Sequence, residues 1–195
     1  MNAEKAAFAQ KTDLRSLDEV IENADMFLGL SGPNILTSSM INKMSAKPII
    51  FALANPSPEV MPDIARKAAS DAIIATGRSD FPNQVNNVLC FPFIFRGALD
   101  VEATEINDEM QLACIDAIAE IARKTTSAEA AAAYQGEALT FGPEYLIPKP
   151  FDPRLSVVVS SAVAQAAMRS GVAKKPIADL ELSLIHISEP TRHCT

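Results

Sequence analysis

The stretches IIFALANPSPEV, at residues 49–60, and AIIATGRSDFPNQVNNVLC, at residues 72–90, decide the fold class. Each begins with a short apolar run that lacks polar alternation, which is typical of a strand buried on both faces of a parallel sheet. Turn residues and then a helical pattern follow each run. A similar unit starts earlier, at residues 26–30. The sequence therefore predicts an α/β fold with a parallel sheet, followed by a helical C-terminal segment.

The first polar loop begins at Asn55, directly before a proline that pushes the Asn55 backbone toward extended geometry. We expect its amide to project from the carboxyl edge of the sheet, where open α/β sheets bind ligands. The alternative is an Asx-type turn, in which the amide satisfies local backbone groups. The next residues predict a helix to about residue 69, with Ser57 as N-cap, Pro58 at its first position and Glu59 near its positive end.

The second polar loop, at residues 76–87, concentrates uncharged amides before an apolar helical pattern at residues 88–99. An amide can donate to a carboxylate or accept from a hydroxyl without adding a charge. A small polar organic acid is therefore a natural ligand, although either Asn83 or Asn86 is also a good helix cap. Pro92 should kink or divide the helix that follows.

A third loop follows the strand at residues 26–30, and Thr37 then caps a helix that reaches about residue 44. Gly29 and Gly32 would allow the backbone to approach a ligand closely. Neither GxGxxG nor GxxxxGK[ST] occurs in the chain, so the sequence carries no phosphate-binding fingerprint.

The other helices are predicted from local caps and apolar stripes. Ser16 caps a helix at 17–21, Asn107 caps one at 108–123, and a third begins near residue 152 and stops at Gly171. Arg96 either pairs with a carboxylate for structure or helps to bind an acidic ligand.

Composition excludes several classes of protein. The chain has 195 residues, 48% of them hydrophobic, and a net charge of −7. No apolar run is long enough to cross a bilayer, and an acidic chain lacks the basic face that a nucleic acid requires. We therefore expect a cytoplasmic protein with no membrane or nucleic-acid partner. Cys90 and Cys114 lie in apolar helical patterns and are interpreted as small buried hydrophobes rather than as a disulfide.

Several longer motifs, in this order, resemble the cofactor domain of malic enzymes, and most closely the long bacterial NADP-dependent form. They are FLGLS at 27–31, ALANPSPE at 52–59, ATGRSD at 75–80, PNQVNNVLCFP at 82–92 and YLIPKPFDPRL at 145–155. The resemblance implies a Rossmann-like sheet that is the second half of a dinucleotide-binding domain. It also implies oxidative decarboxylation of (S)-malate to pyruvate and carbon dioxide, with NADP (or NAD) as hydride acceptor, Mg or Mn as Lewis acid, and a homo-oligomeric enzyme.

The resemblance also assigns individual residues. Asn55 matches the position that contacts the nicotinamide cofactor, and Asn87 matches the position that binds malate. Ser31, Gly32 and Gly77 fall on loops that should line the cofactor crevice. We expect Asn55 and Asn87 to face one shared pocket.

The family's general acid tyrosine, general base lysine and carboxylate metal ligands match nothing in this chain, so no catalytic residue and no metal ligand is assigned. Neither Tyr134 nor Tyr145 lies in a motif that matches the family's catalytic tyrosine, and Lys149 belongs to a proline-rich connection. Asp80, Asp108 and Glu109 are better explained by helix dipoles and solvation. We expect a fragment that divides into 1–100 (partial NAD(P)-binding domain), 101–180 (helical C-terminal part of the catalytic region) and 181–195. The last segment resembles a non-native tail and contains both histidines. A non-catalytic nucleotide- or metabolite-binding or interaction module is the alternative.

Overall fold

The computed structural model describes residues 6–124 and 139–177. The chain forms two compact units, Met1–Ile73 and Ile74–Thr195. In the two described ranges, no helix combines the length and the apolar character needed to cross a membrane. The predicted tail at 181–195 and Tyr134 lie outside the described residues, and the predicted domain boundaries at residues 100 and 180 stay predictions.

Among the described residues, three short strands form the sheet, β1 (Met26–Gly29), β2 (Ile49–Ala52) and β3 (Ile73–Thr76), in the order β1-β2-β3. β1 and β2 run parallel, with Met26 opposite Ile49 at one end and Gly29 opposite Ala52 at the other. The inward residues of β2 are fully buried and the alternate ones are half-buried, which explains why its sequence is apolar throughout. The predicted α/β class with a parallel sheet is confirmed.

Local caps begin two short helices where the sequence predicted them. In α1 (Leu17–Val20), the Ser16 hydroxyl accepts from the Glu19 N–H, and the Glu19 carboxylate accepts from the Ser16 N–H at 2.8 Å. In α2 (Ser38–Ile41), the Thr37 hydroxyl accepts from the Met40 N–H at 3.3 Å. Both predicted N-caps are confirmed, because such bonds depend only on residues within one turn. However, α2 ends before the predicted residue 44.

The predicted start of the helix after β2 is wrong. This helix, α3 (Pro62–Ala68), has Met61 as its N-cap and Pro62 in its first turn, so Ser57 is not a cap and Pro58 is not a helical residue. Pro58, Glu59 and Val60 are instead buried. The segment stays out of the helix because it enters the interior, where Glu59 forms long-range hydrogen bonds.

The second unit is mainly helical where the structure describes it, at residues 74–124 and 139–177. After β3 come a 3₁₀ helix (Asn87–Leu89), α4 (Phe93–Asp100), α5 (Asp108–Arg123) and α6 (Arg154–Arg169). Pro92 lies at the junction between the 3₁₀ helix and α4, which confirms the predicted interruption. Asn107 caps α5, as predicted, by accepting from the Met110 N–H at 3.1 Å.

The core of the second unit lies where α6 packs against α4 and α5. Gly97 makes the α4 contact possible, because a Cβ at this position would lie 2.4 Å from the Ser160 carbonyl oxygen and 2.8 Å from Val163 Cβ. The backbones of α4 and α6 therefore approach more closely than any larger residue would allow. Deeply buried core side chains larger than alanine include Val101, Met110, Cys114, Ile121, Leu155, Val159 and Val163.

Candidate functional site

One buried carboxylate holds together the loops that follow β1 and β2. Glu59 has no exposed surface; its Oε1 accepts from the Ser31 N–H at 2.9 Å, and its Oε2 accepts from the Ala54 N–H at 3.1 Å. Hydrogen bonds to a carboxylate are stronger than those between neutral groups, and more so away from water. Glu59 therefore fixes the backbone of both loops relative to each other.

Backbone hydrogen bonds reinforce the same connection. The Asn34 N–H donates to the Pro58 carbonyl at 3.2 Å, and the Leu36 N–H donates to the Glu59 carbonyl at 3.1 Å. Gly29 leaves room for the carboxylate, since a Cβ there would lie 2.4 Å from Glu59 Cδ. The expectation that Gly29 admits a ligand is therefore wrong, because the group that approaches Gly29 is the Glu59 side chain.

Three predicted site residues lie on these connected loops. Asn55 follows Ala54 and is exposed, and Ser31 exposes its side chain while its N–H is bound to Glu59. Gly32 has open space where a Cβ would stand, with no heavy atom within 4 Å. The Glu59 side chain therefore binds the backbone of both Ser31 and Ala54, the residue before Asn55. Their roles toward a cofactor stay predictions.

The second polar loop leaves β3 and returns to it. The Val85 N–H donates to the Thr76 carbonyl at 2.8 Å, and the Thr76 hydroxyl accepts from the Arg78 N–H at 3.2 Å. Gln84 Nε2 donates to the Gly77 carbonyl at 3.5 Å. Gly77, which the sequence placed on the crevice, is half-buried at the start of this closed loop.

Asn83 holds this loop in place, a role that the sequence did not reveal. Its side chain is 6% exposed; Nδ2 donates to the Ile74 carbonyl at 3.0 Å and the Pro143 carbonyl at 2.7 Å, and Oδ1 accepts from the Leu146 N–H at 2.7 Å. The backbone φ of Asn83 is 54°, a left-handed conformation that asparagine tolerates better than most residues. No local signal identifies this role, because Pro143 lies 60 residues along the chain.

The two asparagines that follow have different roles. Asn86 caps the 3₁₀ helix by accepting from the Val88 N–H at 3.0 Å, which confirms that one of the two candidate asparagines, Asn83 or Asn86, is a helix cap. Asn87 is exposed. Within residues 6–124 and 139–177, the side-chain amides of Asn55 and Asn87 form no hydrogen bond with the protein, so both are available to a ligand. Asn55 belongs to the first unit and Asn87 to the second, and their shared pocket stays a prediction.

The charged residues near these loops are paired with each other. Arg78 holds Asp80 through two hydrogen bonds of 2.8 and 2.7 Å, and these bonds lower the pKa of the Asp80 carboxyl. Arg96 pairs with Asp100 at 2.6 Å within α4, which is the structural one of its two predicted roles. Among the described residues, no three His, Cys, Asp or Glu side chains form a group that would hold a metal ion.

A cavity of about 510 Å³ lies in the second unit, between the loop at 79–84 and the segment at 144–151. None of the five predicted site residues lines it. Tyr145, in its wall, is buried against the Asp152–Arg154 pair, and burial followed by the Asp152 charge raises the pKa of its hydroxyl. The structural position of Tyr145 follows from its burial against this ion pair.

Comparisons with known proteins agree with the motifs. The family profile described as malic enzyme, NAD binding domain, matches residues 1–134. The chain is 60% identical over 186 residues to the NADP-dependent malic enzyme of Escherichia coli (strain K12), covering 95% of this chain and 24% of that protein. It is 56% identical over 184 residues to the NAD-dependent malic enzyme of Rhizobium meliloti (strain 1021), covering 94% of this chain and 24% of that protein.

The fold agrees as well. The crystal structure of Entamoeba histolytica malic enzyme superposes with a TM-score of 0.76 at 34% identity, covering 92% of this chain and 34% of that one. The chain spans about a quarter of the length of the two curated relatives named above. The resemblance inferred from the motifs is thereby confirmed, and because the family profile matches most of its residues, the chain belongs to the malic enzyme family, in its NAD-binding domain.

Proposed function

We propose that this chain forms part of the cofactor and substrate crevice of an enzyme that oxidatively decarboxylates (S)-malate to pyruvate and carbon dioxide, with NADP or NAD as the hydride acceptor. One observation carries the proposal. Two exposed asparagine amides, which form no hydrogen bond with the part of the chain that the structure describes, stand on loops that buried polar side chains hold rigid, in a chain of the malic enzyme family. Rigid loops that carry unpaired polar groups are typical of ligand sites.

Asn55 is the residue proposed to contact the nicotinamide cofactor. Its neutral amide can donate to a carbonyl and accept from a hydroxyl, which matches a carboxamide and a ribose. Ser31 and Gly32 lie on the adjoining loop, and the open space beside Gly32 supports close approach of a ligand there. The donor set thus fits a nicotinamide nucleotide, which when bound would accept the hydride. Because the sequence lacks GxGxxG, no motif in this chain is assigned to the pyrophosphate of the cofactor.

Asn87 is the residue proposed to bind malate. An amide can hold a carboxylate in one orientation without adding a charge, so that charge balance is left to other groups. The closed loop behind it, with Gly77 near its start, limits the positions that Asn87 can adopt. The proposed effect is to orient the substrate, and we assign Asn87 no proton transfer.

A divalent metal does not fit the described residues, because residues 6–124 and 139–177 contain no group of three candidate ligands. No step is therefore derived through Mg or Mn for this chain. The 195 residues by themselves are expected to show no malate-dependent reduction of NADP, since none of them is assigned as acid, base or metal ligand. A homo-oligomeric, cytoplasmic enzyme remains part of the proposal and rests on family likeness.

The proposal is tested by steady-state kinetics of the protein encoded by the complete reading frame that contains this chain. We expect Asn87→Ala to raise the KM for malate and Asn55→Ala to lower kcat/KM for the cofactor, each by roughly 10- to 100-fold. This is the effect of losing one hydrogen bond to a charged or fully desolvated group. Asn42→Ala, an exposed asparagine at the C-cap of α2, is the matched control and should leave kinetics unchanged. Unchanged kinetics in both site variants would refute these assignments. Binding of NADP without turnover would favour the non-catalytic module.

A further inference from the structure

Cys90 and Cys114 form a close pair of thiols. The Cys114 thiol donates a hydrogen bond to Cys90 Sγ at 3.4 Å. Cys90 follows the 3₁₀ helix, and Cys114 lies in the middle of α5. The prediction that both are simply buried hydrophobes holds for Cys114, which is 1% exposed, but Cys90 is only half-buried. The two sulfurs are therefore placed to react with each other.

A groove of about 330 Å³ gives access to the pair. Both cysteines line it, together with apolar side chains from α4 and α5 that include Ile94, Ile115 and Ile118. A small oxidant entering this groove meets Cys90 first, because Cys114 lies beneath the surface.

The surroundings of Cys114 favour a fixed order of reaction. Burial, followed by the hydrogen bond with Cys90, raises the pKa of the Cys114 thiol to about 12. Because the thiolate is the nucleophilic form of cysteine, Cys114 stays an unreactive thiol until a neighbouring sulfur becomes electrophilic. Cys90 is then the residue that an external oxidant modifies.

We propose that Cys90 and Cys114 are a modification site at which a hydroperoxide oxidises two thiols to an intramolecular disulfide. In the first step, Cys90 Sγ attacks a peroxide oxygen, the O–O bond breaks, an alcohol or water leaves, and Cys90 becomes a sulfenic acid. In the second step, Cys114 Sγ attacks Cys90 Sγ, the S–O bond breaks and water leaves with the Cys114 proton. The sulfurs must approach from 3.4 Å to about 2.05 Å.

The bond would connect the turn after the 3₁₀ helix to α5. Asn87 begins that 3₁₀ helix, so the proposed malate-binding residue would be tethered to the α5–α6 core. The chemistry itself does not depend on the proposed function, and its test uses a readout other than activity.

Tryptic mapping of the oxidised protein provides that readout. Cleavage after Arg78, Arg96 and Arg123 places Cys90 in the peptide 79–96 and Cys114 in the peptide 97–123. The complete reading frame is treated with hydrogen peroxide, alkylated and digested without reductant. We expect these two peptides to appear joined, with a mass about 2 Da below their sum because two hydrogens are lost. Dithiothreitol should separate them.

Two variants separate the steps. In Cys114→Ser, the Cys90 sulfenic acid has no neighbouring thiol, so dimedone labelling of peptide 79–96 should increase several-fold over the unsubstituted protein. In Cys90→Ser, Cys114 should remain a reduced thiol, so peptide 97–123 should be recovered with Cys114 alkylated and not oxidised. Cys114→Ala repeats the first test if Cys114→Ser does not fold. The proposal is overturned if Cys90 proceeds to sulfinic acid in the unsubstituted protein without a joined peptide, or if neither cysteine reacts.

Discussion

Replacing Glu59 with glutamine keeps the size of the side chain and removes one of the two hydrogen bonds that connect the loops after β1 and β2. The Glu59 carboxylate accepts from Ser31 N–H at 2.9 Å and from Ala54 N–H at 3.1 Å. A glutamine has one acceptor oxygen, and its NH₂ group must face the other N–H donor. Loss of one hydrogen bond to a buried charged group costs roughly 1.5–3 kcal/mol.

Amide hydrogen exchange measures this loss at the bonds concerned. If local opening becomes about 2 kcal/mol cheaper, at least one of the Ser31 and Ala54 amides should exchange about 30-fold faster in Glu59→Gln. Glu22→Gln, an exposed acid in the same unit, is the matched control and should leave both amides unchanged. If the proposed function holds, the KM for the cofactor should rise in Glu59→Gln as well, because Asn55 adjoins Ala54.

Unchanged exchange at both amides would contradict the reasoning. It would mean that the backbone hydrogen bonds from Asn34 and Leu36 are enough to hold the loops together, and that the carboxylate adds no rigidity.

Two further substitutions test the second unit by urea unfolding. Asn83→Ala removes three hydrogen bonds made by a buried side chain and should lower the unfolding free energy by about 3 kcal/mol, against about 1 kcal/mol for the cap variant Asn86→Ala; equal costs would contradict the role of Asn83. Gly97→Ala forces a Cβ to within 2.4 Å of the Ser160 carbonyl oxygen and should cost about 1–3 kcal/mol through overpacking, despite the better helix propensity of alanine. Gly32→Ala, with open space around its Cβ, is the control, and a gain in stability on Gly97→Ala would show that α4 and α6 are not in tight contact.

Much of the fold is encoded by neighbours in sequence. The unbroken apolar run at 49–53 predicts β2 because a strand covered on both faces needs no polar alternation. Ser16, Thr37 and Asn107 were recognisable as N-caps because each accepts a hydrogen bond from an N–H only three residues ahead. The motifs that carry the family resemblance are likewise continuous stretches of chain.

Residues whose partners are distant were misread. Ser57, Pro58 and Glu59 have the local composition of a helix start, yet the helix begins at Pro62. Glu59 instead accepts a hydrogen bond from the Ser31 N–H, 28 residues away, and no local sequence pattern predicts that bond. Gly29 was interpreted as a position where a ligand approaches the backbone. The group that lies close to it is the Glu59 side chain, which is distant in sequence.

The sequence by itself determined the class of fold, the order of its strands and helices, and the family, because these depend on periodicity, capping and contiguous motifs. Only the tertiary structure decided that Glu59 and Asn83 hold the candidate loops, and that Cys90 and Cys114 meet at 3.4 Å. The physical reason is that a buried carboxylate, amide or thiol takes its role from the donors and acceptors that folding brings within hydrogen-bonding distance, and the most distant partners of Glu59, Asn83 and Cys114 lie 24 to 63 residues away along the chain.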